Sequence, residues 1–115
     1  MKLEHVYKTF YPNTPKEVKA LTDINLTFEK GEFTTLSGES GSGKTTLLNI
    51  IGGLDSATNG EIFFEGDEIT SYSEEKMAKL RLHDIGFIFQ AYNLIHVLTV
   101  RENIGFIMKL LKLDD

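Results

Sequence analysis

The sequence predicts an α/β protein with a small antiparallel β subdomain. Two early segments, residues 3–10 and 20–29, alternate apolar and polar side chains, which is typical of half-buried antiparallel strands. A β-branched run at 32–37 then leads through a glycine-rich loop into a helical pattern at 45–51. A later apolar run at 85–90 is typical of a buried strand. Antiparallel strands followed by strand–loop–helix units indicate this class.

Local turn signals separate the N-terminal elements. The string YPNTP ends the first strand, because proline restricts φ and asparagine tolerates unusual dihedral angles. A Gly-Gly pair at 52–53 ends the helix, since glycine is favoured just after a helix C-terminus. A further strand is predicted at 61–64, followed by a turn at 65–67 with the sequence EGD.

Two capping boxes predict where later helices begin. Ser71 and Glu74 fit one box, with a helix to about residue 82, and Thr99 and Glu102 fit another. Behind the second box, apolar residues at spacings i, i+3, i+4 and i+7 share one helix face. We expect this face to be core rather than an interface, and it consists of Ile104, Ile107, Met108 and Leu111.

The composition limits the functional classes. With 115 residues, the chain is long enough for one small domain. Its net charge of -5 argues against a nucleic acid partner, which favours a basic face. The lack of cysteine excludes disulfides and thiolate metal sites. The N-terminus has no apolar signal segment, and the longest stretch without Lys, Arg, Asp or Glu, 85–100, is too short to span a bilayer. We therefore expect any membrane role to depend on a partner.

The most informative motif is GESGSGKT at 38–45, which fits the phosphate-binding pattern G-x-x-x-x-G-K-[ST]. Glycines let the backbone approach phosphate oxygens, and successive N–H groups and the following helix N-terminus favour an anion. Lys44 is expected to reach the β- and γ-phosphates, and the Thr45 hydroxyl to bind Mg²⁺. The predicted nucleotide-binding residues of this loop are Gly38, Glu39, Ser40, Gly41, Ser42, Gly43, Lys44 and Thr45.

The loop continues as GESGSGKTTLLNIIGGLDSATNGEI, and IGFIFQAYNLIHVLTVRENI follows downstream. Together these strings resemble the first half of an ATP-binding-cassette (ABC) ATPase domain. The closest subgroup serves macrolide exporters, lipoprotein-release systems and bacitracin-type resistance transporters. The resemblance implies a P-loop NTPase (RecA-like) core with an antiparallel β subdomain and the start of the helical subdomain. It also implies that residues 1–115 form a single partial domain that binds ATP and Mg²⁺.

Further site residues follow from the resemblance. Thr46 matches a position near the α-phosphate. Gln90 matches the Q-loop glutamine, which in the family touches Mg²⁺ and the attacking water and links the site to the membrane partner. An amide can accept from water or bind a metal without adding charge. Lys44 and Gln90 are therefore the predicted catalytic residues, and Thr45 and Gln90 the predicted metal ligands.

The resemblance also predicts an aromatic residue that stacks on adenine, placed ahead of the second strand. Phe10 fits this position best, and Tyr11, the next residue, is the other candidate. Val18 is a weaker candidate for lining the base from the other side. The alternative is that both rings only pack within the β subdomain.

Three parts of the family's active site have no counterpart in the sequence. The signature motif is missing, because LSGES at 36–40 is the phosphate loop itself. Neither IFFEGDE at 62–68 nor LLKLDD at 110–115 fits the apolar strand ending in Asp-Glu that holds Mg²⁺ and acts on water. We expect an N-terminal fragment whose open apolar edges favour dimerisation, strand exchange or marginal stability. No histidine matches the switch position, and three are expected on the surface or in loops: His5, His83 and His96.

The leading functional hypothesis is an ATP-binding subunit of an ABC transporter, which couples ATP binding and hydrolysis to transport or extraction. Its partners would be a membrane-spanning permease and a second ATPase subunit, and it would lie at the cytoplasmic face of the membrane. The alternative is a truncated module that binds Mg-ATP without turnover. A different P-loop enzyme is disfavoured, since no N-K-x-D guanine motif is present. A cassette protein of translation or DNA repair is also disfavoured, since such a protein should be more basic than this chain.

Overall fold

The computed structural model describes residues 1–113, which form two compact units, Met1–Met77 and the residues from Ala78 onwards. The first unit contains all four strands of the described residues and the glycine-rich loop at 38–45. Four strands and three helices occur in the described residues, and they are β1 (Lys2–Phe10), β2 (Val18–Thr27), α1 (Lys44–Ile51), β3 (Asn59–Phe64), β4 (Asp67–Glu68), α2 (Glu74–Asp84) and α3 (Val100–Leu110).

The four strands form one antiparallel sheet in the order β2-β1-β3-β4. The pairing of β1 with β2 runs from Lys2 opposite Thr27 to Phe10 opposite Val18. A two-residue turn joins β3 to β4, and both of its residues, Glu65 and Gly66, have positive φ angles of 50° and 87°. Such turns match the twist of antiparallel strands. The predicted antiparallel β subdomain is confirmed, with β3 starting two residues earlier than expected.

Strand β1 is irregular at His5, whose φ is 48°. Its N–H donates to Oδ1 of Asn25, and its Nδ1 lies 2.7 Å from Oδ1 of Asp23. Hydrogen bonds from His5 and then from Asn25 lower the pKa of the Asp23 carboxyl. On the other side, Gly60 of β3 has a φ of 99°, and a Cβ there would lie 2.3 Å from the His5 carbonyl oxygen. The bulge in β1 therefore requires glycine at position 60.

The core of the described residues lies between the sheet and α1. Its members are apolar side chains from β1, β2, α1 and β3 and from the residue after β4, and burial of each contributes about 1.5–3 kcal/mol. They are Leu3, Val6, Leu21, Leu47, Ile50, Ile62 and Ile69.

Two predicted strands, 32–37 and 85–90, are wrong. The structure assigns neither segment to a strand, and the four-stranded sheet does not include them. Phe33 and Ile88 are almost fully exposed. Both segments have the apolar, β-branched composition of buried strands. A strand, however, exists only where a neighbour supplies the ladder of hydrogen bonds, and neither segment is paired within the described residues.

The predicted capping box at α2 is also wrong. The Ser71 hydroxyl donates to the Glu68 carboxylate at 2.8 Å, instead of capping the helix. The N–H of Lys76 donates to the hydroxyl of Ser73 at 3.3 Å, and the helix begins at the next residue, Glu74. Ser73 competes successfully because it lies immediately before the first helical residue, where an N-cap must lie. The helix ends at Asp84, two residues later than expected.

The capping box of α3 is confirmed. The N–H of Glu102 donates to the Thr99 hydroxyl, and the N–H of Thr99 donates to the Glu102 carboxylate at 2.8 Å. The predicted core face of this helix is wrong, since no residue of α3 is buried and Ile104 is 71% exposed. Helical spacing gathers apolar side chains on one face but supplies no surface to cover them. The string LLKLDD at 110–115, which follows this helix, extends beyond the described residues.

No helix within residues 1–113 is long and apolar enough to span a bilayer.

Candidate nucleotide-binding site

The glycine-rich loop lies directly before α1 and depends on two left-handed glycines. Gly41 has a φ of 80° and Gly43, the N-cap residue of α1, a φ of 94°. A Cβ at Gly43 would also lie 2.8 Å from the carbonyl oxygen of Ala20 and 3.3 Å from Cδ2 of Leu21. The start of α1 thus lies against β2, and only glycine permits both this dihedral angle and this approach.

Lys44 holds the loop from within. Its ammonium donates to the carbonyl oxygen of Glu39 at 2.6 Å, to the hydroxyl of Ser42 at 3.2 Å and to the carbonyl oxygen of Gly38. Because an ammonium has three N–H donors, these contacts use all of them. A Cβ at Gly38 would lie 2.8 Å from the Ser42 hydroxyl and 3.8 Å from the Lys44 ammonium. Gly38 therefore leaves the space in which these two groups meet.

The N-terminus of α1 is suited to an anion. The first N–H groups of any helix lack intrahelical acceptors, and here no side chain caps them. No acidic residue lies in the first turn of the helix. The positive end of the helix dipole therefore faces the loop without a competing carboxylate on that turn.

A cavity of about 640 Å³ lies over the loop, within the range of about 300–1,000 Å³ that is usual for small-molecule sites. The cavity brings the loop and α1 together with residues of β1 and β2, and no carboxylate is among the described residues that line it. The lining residues are Phe10, Val18, Lys19, Ala20, Ser40, Gly41, Ser42, Gly43, Lys44, Thr45 and Thr46.

Of the two candidate aromatic residues, Phe10 and Tyr11, the structure places the first in the cavity lining. Phe10 is half-buried and lines the cavity, together with Val18. Tyr11 has a positive φ of 49° and a side chain that is 66% exposed, and it is not among the described residues of the lining. Gly38 and Glu39, which were also predicted to bind nucleotide, instead contact the Lys44 ammonium through their carbonyl oxygens.

Thr45 and Thr46, which each carry a hydroxyl, line the cavity next to Lys44. Mg²⁺ prefers oxygen ligands and usually keeps several waters, binding through one or two protein groups together with substrate phosphates. A single hydroxyl beside a phosphate-binding loop fits that pattern. Thr45 is therefore suited to hold the ion beside a bound phosphate chain.

Gln90 belongs to the second unit and is exposed. It follows two aromatic residues, Phe87 and Phe89, whose rings stack with centroids 5.6 Å apart and planes 7° from parallel. Its predicted roles in catalysis and metal binding stay predictions. The three histidines are exposed, as expected, at positions 5, 83 and 96.

Sequence reasoning missed two lysines. Lys19 lines the cavity and adds a second positive charge to it. Lys8 forms an ion pair with Asp55 at 2.9 Å, and its ammonium lies 5.0 Å from the centroid of the Phe10 ring. The spacing of Lys8 and Phe10, two residues apart on a strand, already placed them on one face. The partner Asp55 is 47 residues away, and no local pattern indicates it.

The family model for the ABC transporter matches residues 21–115. The chain belongs to the ABC transporter family. The predicted resemblance is thereby confirmed.

Three relatives within the ABC transporter family represent the predicted subgroups. The bacitracin export ATP-binding protein BceA of Halalkalibacterium halodurans is 45% identical over 100 residues, covering 87% of this chain and 39% of the relative. The lipoprotein-releasing system ATP-binding protein LolD 1 of Rhodopseudomonas palustris is 44% identical over 104 residues, covering 90% of this chain and 46% of the relative. The macrolide export ATP-binding/permease protein MacB of Campylobacter jejuni is 49% identical over 85 residues, covering 74% and 13%. The chain spans less than half the length of each.

A solved ABC structure supports the fold. The dimeric, post-hydrolysis structure of the ATP-binding cassette MJ0796 bound to ADP and Pi, from a protein of Methanocaldococcus jannaschii, has a TM-score of 0.88 and 40% sequence identity. The match covers 95% of this chain and 47% of that one. The predicted class, an α/β P-loop NTPase core with an antiparallel β subdomain, is confirmed by this likeness.

Proposed function

We propose that this chain binds Mg-ATP as the nucleotide-binding part of an ABC transporter. In this proposal the complete subunit couples ATP binding and hydrolysis to transport or extraction by a membrane-spanning partner. The observation that carries the proposal is that Phe10, the loop residues and the start of α1 line the same cavity. An aromatic ring and a glycine-rich loop that line one cavity match the base and the phosphates of a nucleoside triphosphate.

Binding requires Lys44 to exchange partners. Its ammonium now donates to the carbonyl oxygens of Gly38 and Glu39, and phosphate oxygens would replace these neutral acceptors. Hydrogen bonds between an ammonium and an ionised acceptor are about twice as strong as neutral ones. The exchange therefore favours the triphosphate. The loop, relieved of these contacts, would direct its N–H groups toward the β- and γ-phosphates.

The remaining residues orient the two ends of the ligand. The Thr45 hydroxyl would hold Mg²⁺, which supplies charge neutralisation when bound, and Thr46 would donate near the α-phosphate. The ring of Phe10 would stack on adenine, with Val18 beside it. Gln90 would reach the attacking water and the ion in the complete subunit, without adding a charge. Lys44 and Gln90 would thereby stabilise and orient the reacting groups, as phosphoryl transfer requires.

ABC ATPases as a family hydrolyse ATP, but the residues present here favour binding over turnover. A catalytic base must lie within hydrogen-bond reach of the water it activates, directly or through one water. No carboxylate is among the described residues of the cavity lining. The chain of 115 residues is therefore proposed to bind Mg-ATP without efficient hydrolysis. A phosphate-release assay tests this point, and rapid turnover that depends on Lys44 would contradict it.

The proposed partners are a permease and a second ATPase subunit, at the cytoplasmic face of a membrane. Support comes from the relatives, which include a bacitracin export protein and a fused ATP-binding/permease protein, and from the dimeric form of the MJ0796 cassette. The residues 1–115 would form one partial domain of such a subunit.

Calorimetric titration of Mg-ATP tests the binding step, with Lys44→Ala as the variant and Lys30→Ala as the control. Lys30 is an exposed lysine outside the cavity lining, so both variants change the net charge equally. We expect saturable binding by the wild type and the control, and loss of most of the affinity in Lys44→Ala. Equal affinity in both variants would refute the assignment of the loop.

A further inference from the structure

We propose that Lys8 is a positioning residue, which holds the ring of Phe10 in place for the nucleotide base and is itself anchored by Asp55. The inference rests on the proposed function, because it assigns Phe10 to the base. It adds a link between strand β1, which carries the ring, and the segment between α1 and β3, which carries Asp55.

The position of the Lys8 ammonium is fixed by two acceptors. It donates to Oδ1 of Asp55 at 2.9 Å and to the carbonyl oxygen of Ser56 at 2.9 Å. The side chain of Lys8 is only 12% exposed. Because a desolvated ammonium is costly without a paired charge, Asp55 is what permits the lysine to remain there. The exposed pair of Lys2 and Glu4, on the same strand, lacks this burial.

The anchored ammonium acts on the ring of Phe10. It lies 5.0 Å from the ring centroid, within the range of a cation–π interaction. Lys8 is not among the described residues that line the cavity, whereas Phe10 is, so the ammonium approaches the ring from outside the cavity. This contact restricts the ring's rotation and leaves its cavity side for a base. A ring held in its bound orientation loses less freedom when a ligand stacks on it.

The test separates the base from the phosphates. Affinities for Mg-ATP and for inorganic tripolyphosphate are measured by calorimetry for the wild type, Lys8→Met and Lys2→Met. Methionine keeps an apolar stem and removes the charge, and Lys2→Met changes the net charge equally at an exposed site. We expect Lys8→Met to weaken the affinity for Mg-ATP about two- to thirtyfold, the range set by cation–π energies, with the affinity for tripolyphosphate unchanged within about twofold. Lys2→Met should change neither affinity. Lys8→Arg should retain most of the ATP affinity that Lys8→Met loses.

Two further variants distinguish positioning from a general structural role. In a Phe10→Ala background, Lys8→Met should cause no additional loss of ATP affinity. If Lys8 acts through Phe10, the effects of the two substitutions on affinity are not additive. Asp55→Asn keeps Lys8 but weakens its anchor, and should reproduce the loss for ATP alone. This variant carries the test if Lys8→Met does not fold.

The outcomes are distinct. Equal weakening of ATP and tripolyphosphate, no weakening of ATP, or an undiminished effect in the Phe10→Ala background would each overturn the role of Lys8. If the wild type binds ATP in a Lys44-dependent way, that result leaves the proposed function intact. If ATP binding is absent or independent of Lys44, the proposed function fails, and the inference about Lys8 fails with it.

Discussion

Replacing Gly43 with alanine tests whether the phosphate-binding loop requires its close approach to β2. Two costs arise. The φ of 94° is a left-handed angle that costs a non-glycine residue about 1–2 kcal/mol. The new Cβ would also lie 2.8 Å from the carbonyl oxygen of Ala20, a backbone atom that cannot rotate away, and such overpacking costs about 1–3 kcal/mol. We expect Gly43→Ala to lower the free energy of unfolding by about 2–5 kcal/mol in total.

Gly41→Ala is the matched control for this experiment. Gly41 lies in the same loop with a φ of 80°, but a Cβ there would meet no atom within 4 Å. Its substitution should therefore cost only the dihedral strain, about 1–2 kcal/mol. Urea denaturation followed by circular dichroism measures both losses. Mg-ATP titration should show weaker binding for Gly43→Ala, because α1 must move from the strand that carries Val18 and Ala20. Equal destabilisation by the two substitutions would refute the steric argument.

Two other predictions concern the scaffold around the site. Gly60→Ala should destabilise the protein by more than about 4 kcal/mol, because its Cβ would lie 2.3 Å from the backbone of His5, while Gly66→Ala, with a similar φ and open space, should cost about 1–2 kcal/mol. Similar melting temperatures for the two variants would contradict this. The N–H and hydroxyl of Thr99 lower the pKa of Glu102 below its ordinary 4.5, so the cap of α3 stabilises the fold above that pH and is lost as the pH falls through the lowered pKa. An NMR titration of the Thr99 amide should show its midpoint below the ordinary pKa, and a midpoint above it would exclude the capping contact.

Interactions between near neighbours in the chain were predicted most reliably from the sequence. The capping box of Thr99 and Glu102 joins residues three apart, and their identity alone nearly determines the hydrogen bonds. The antiparallel strands and the glycine-rich loop before α1 were predicted for the same reason, since alternation and glycine spacing are local patterns. The capping box predicted at Ser71 was wrong although it too joins residues three apart, because the hydroxyl of Ser73 lies nearer the first turn of α2.

Only the tertiary structure decided what depends on a distant partner. The segments 32–37 and 85–90 have strand-like sequences but no paired neighbour in the described residues, so composition could not make them strands. Phe10 lines the same cavity as the glycine-rich loop, and Lys8 pairs with Asp55. Both contacts join residues that lie tens of positions apart in the chain. The sequence by itself determined where the glycine-rich loop lies, because its glycines, Lys44 and Thr45 fall within positions 38–45. The cavity required the folding of β1 and β2 over α1, since long-range contacts arise from packing and not from local preference.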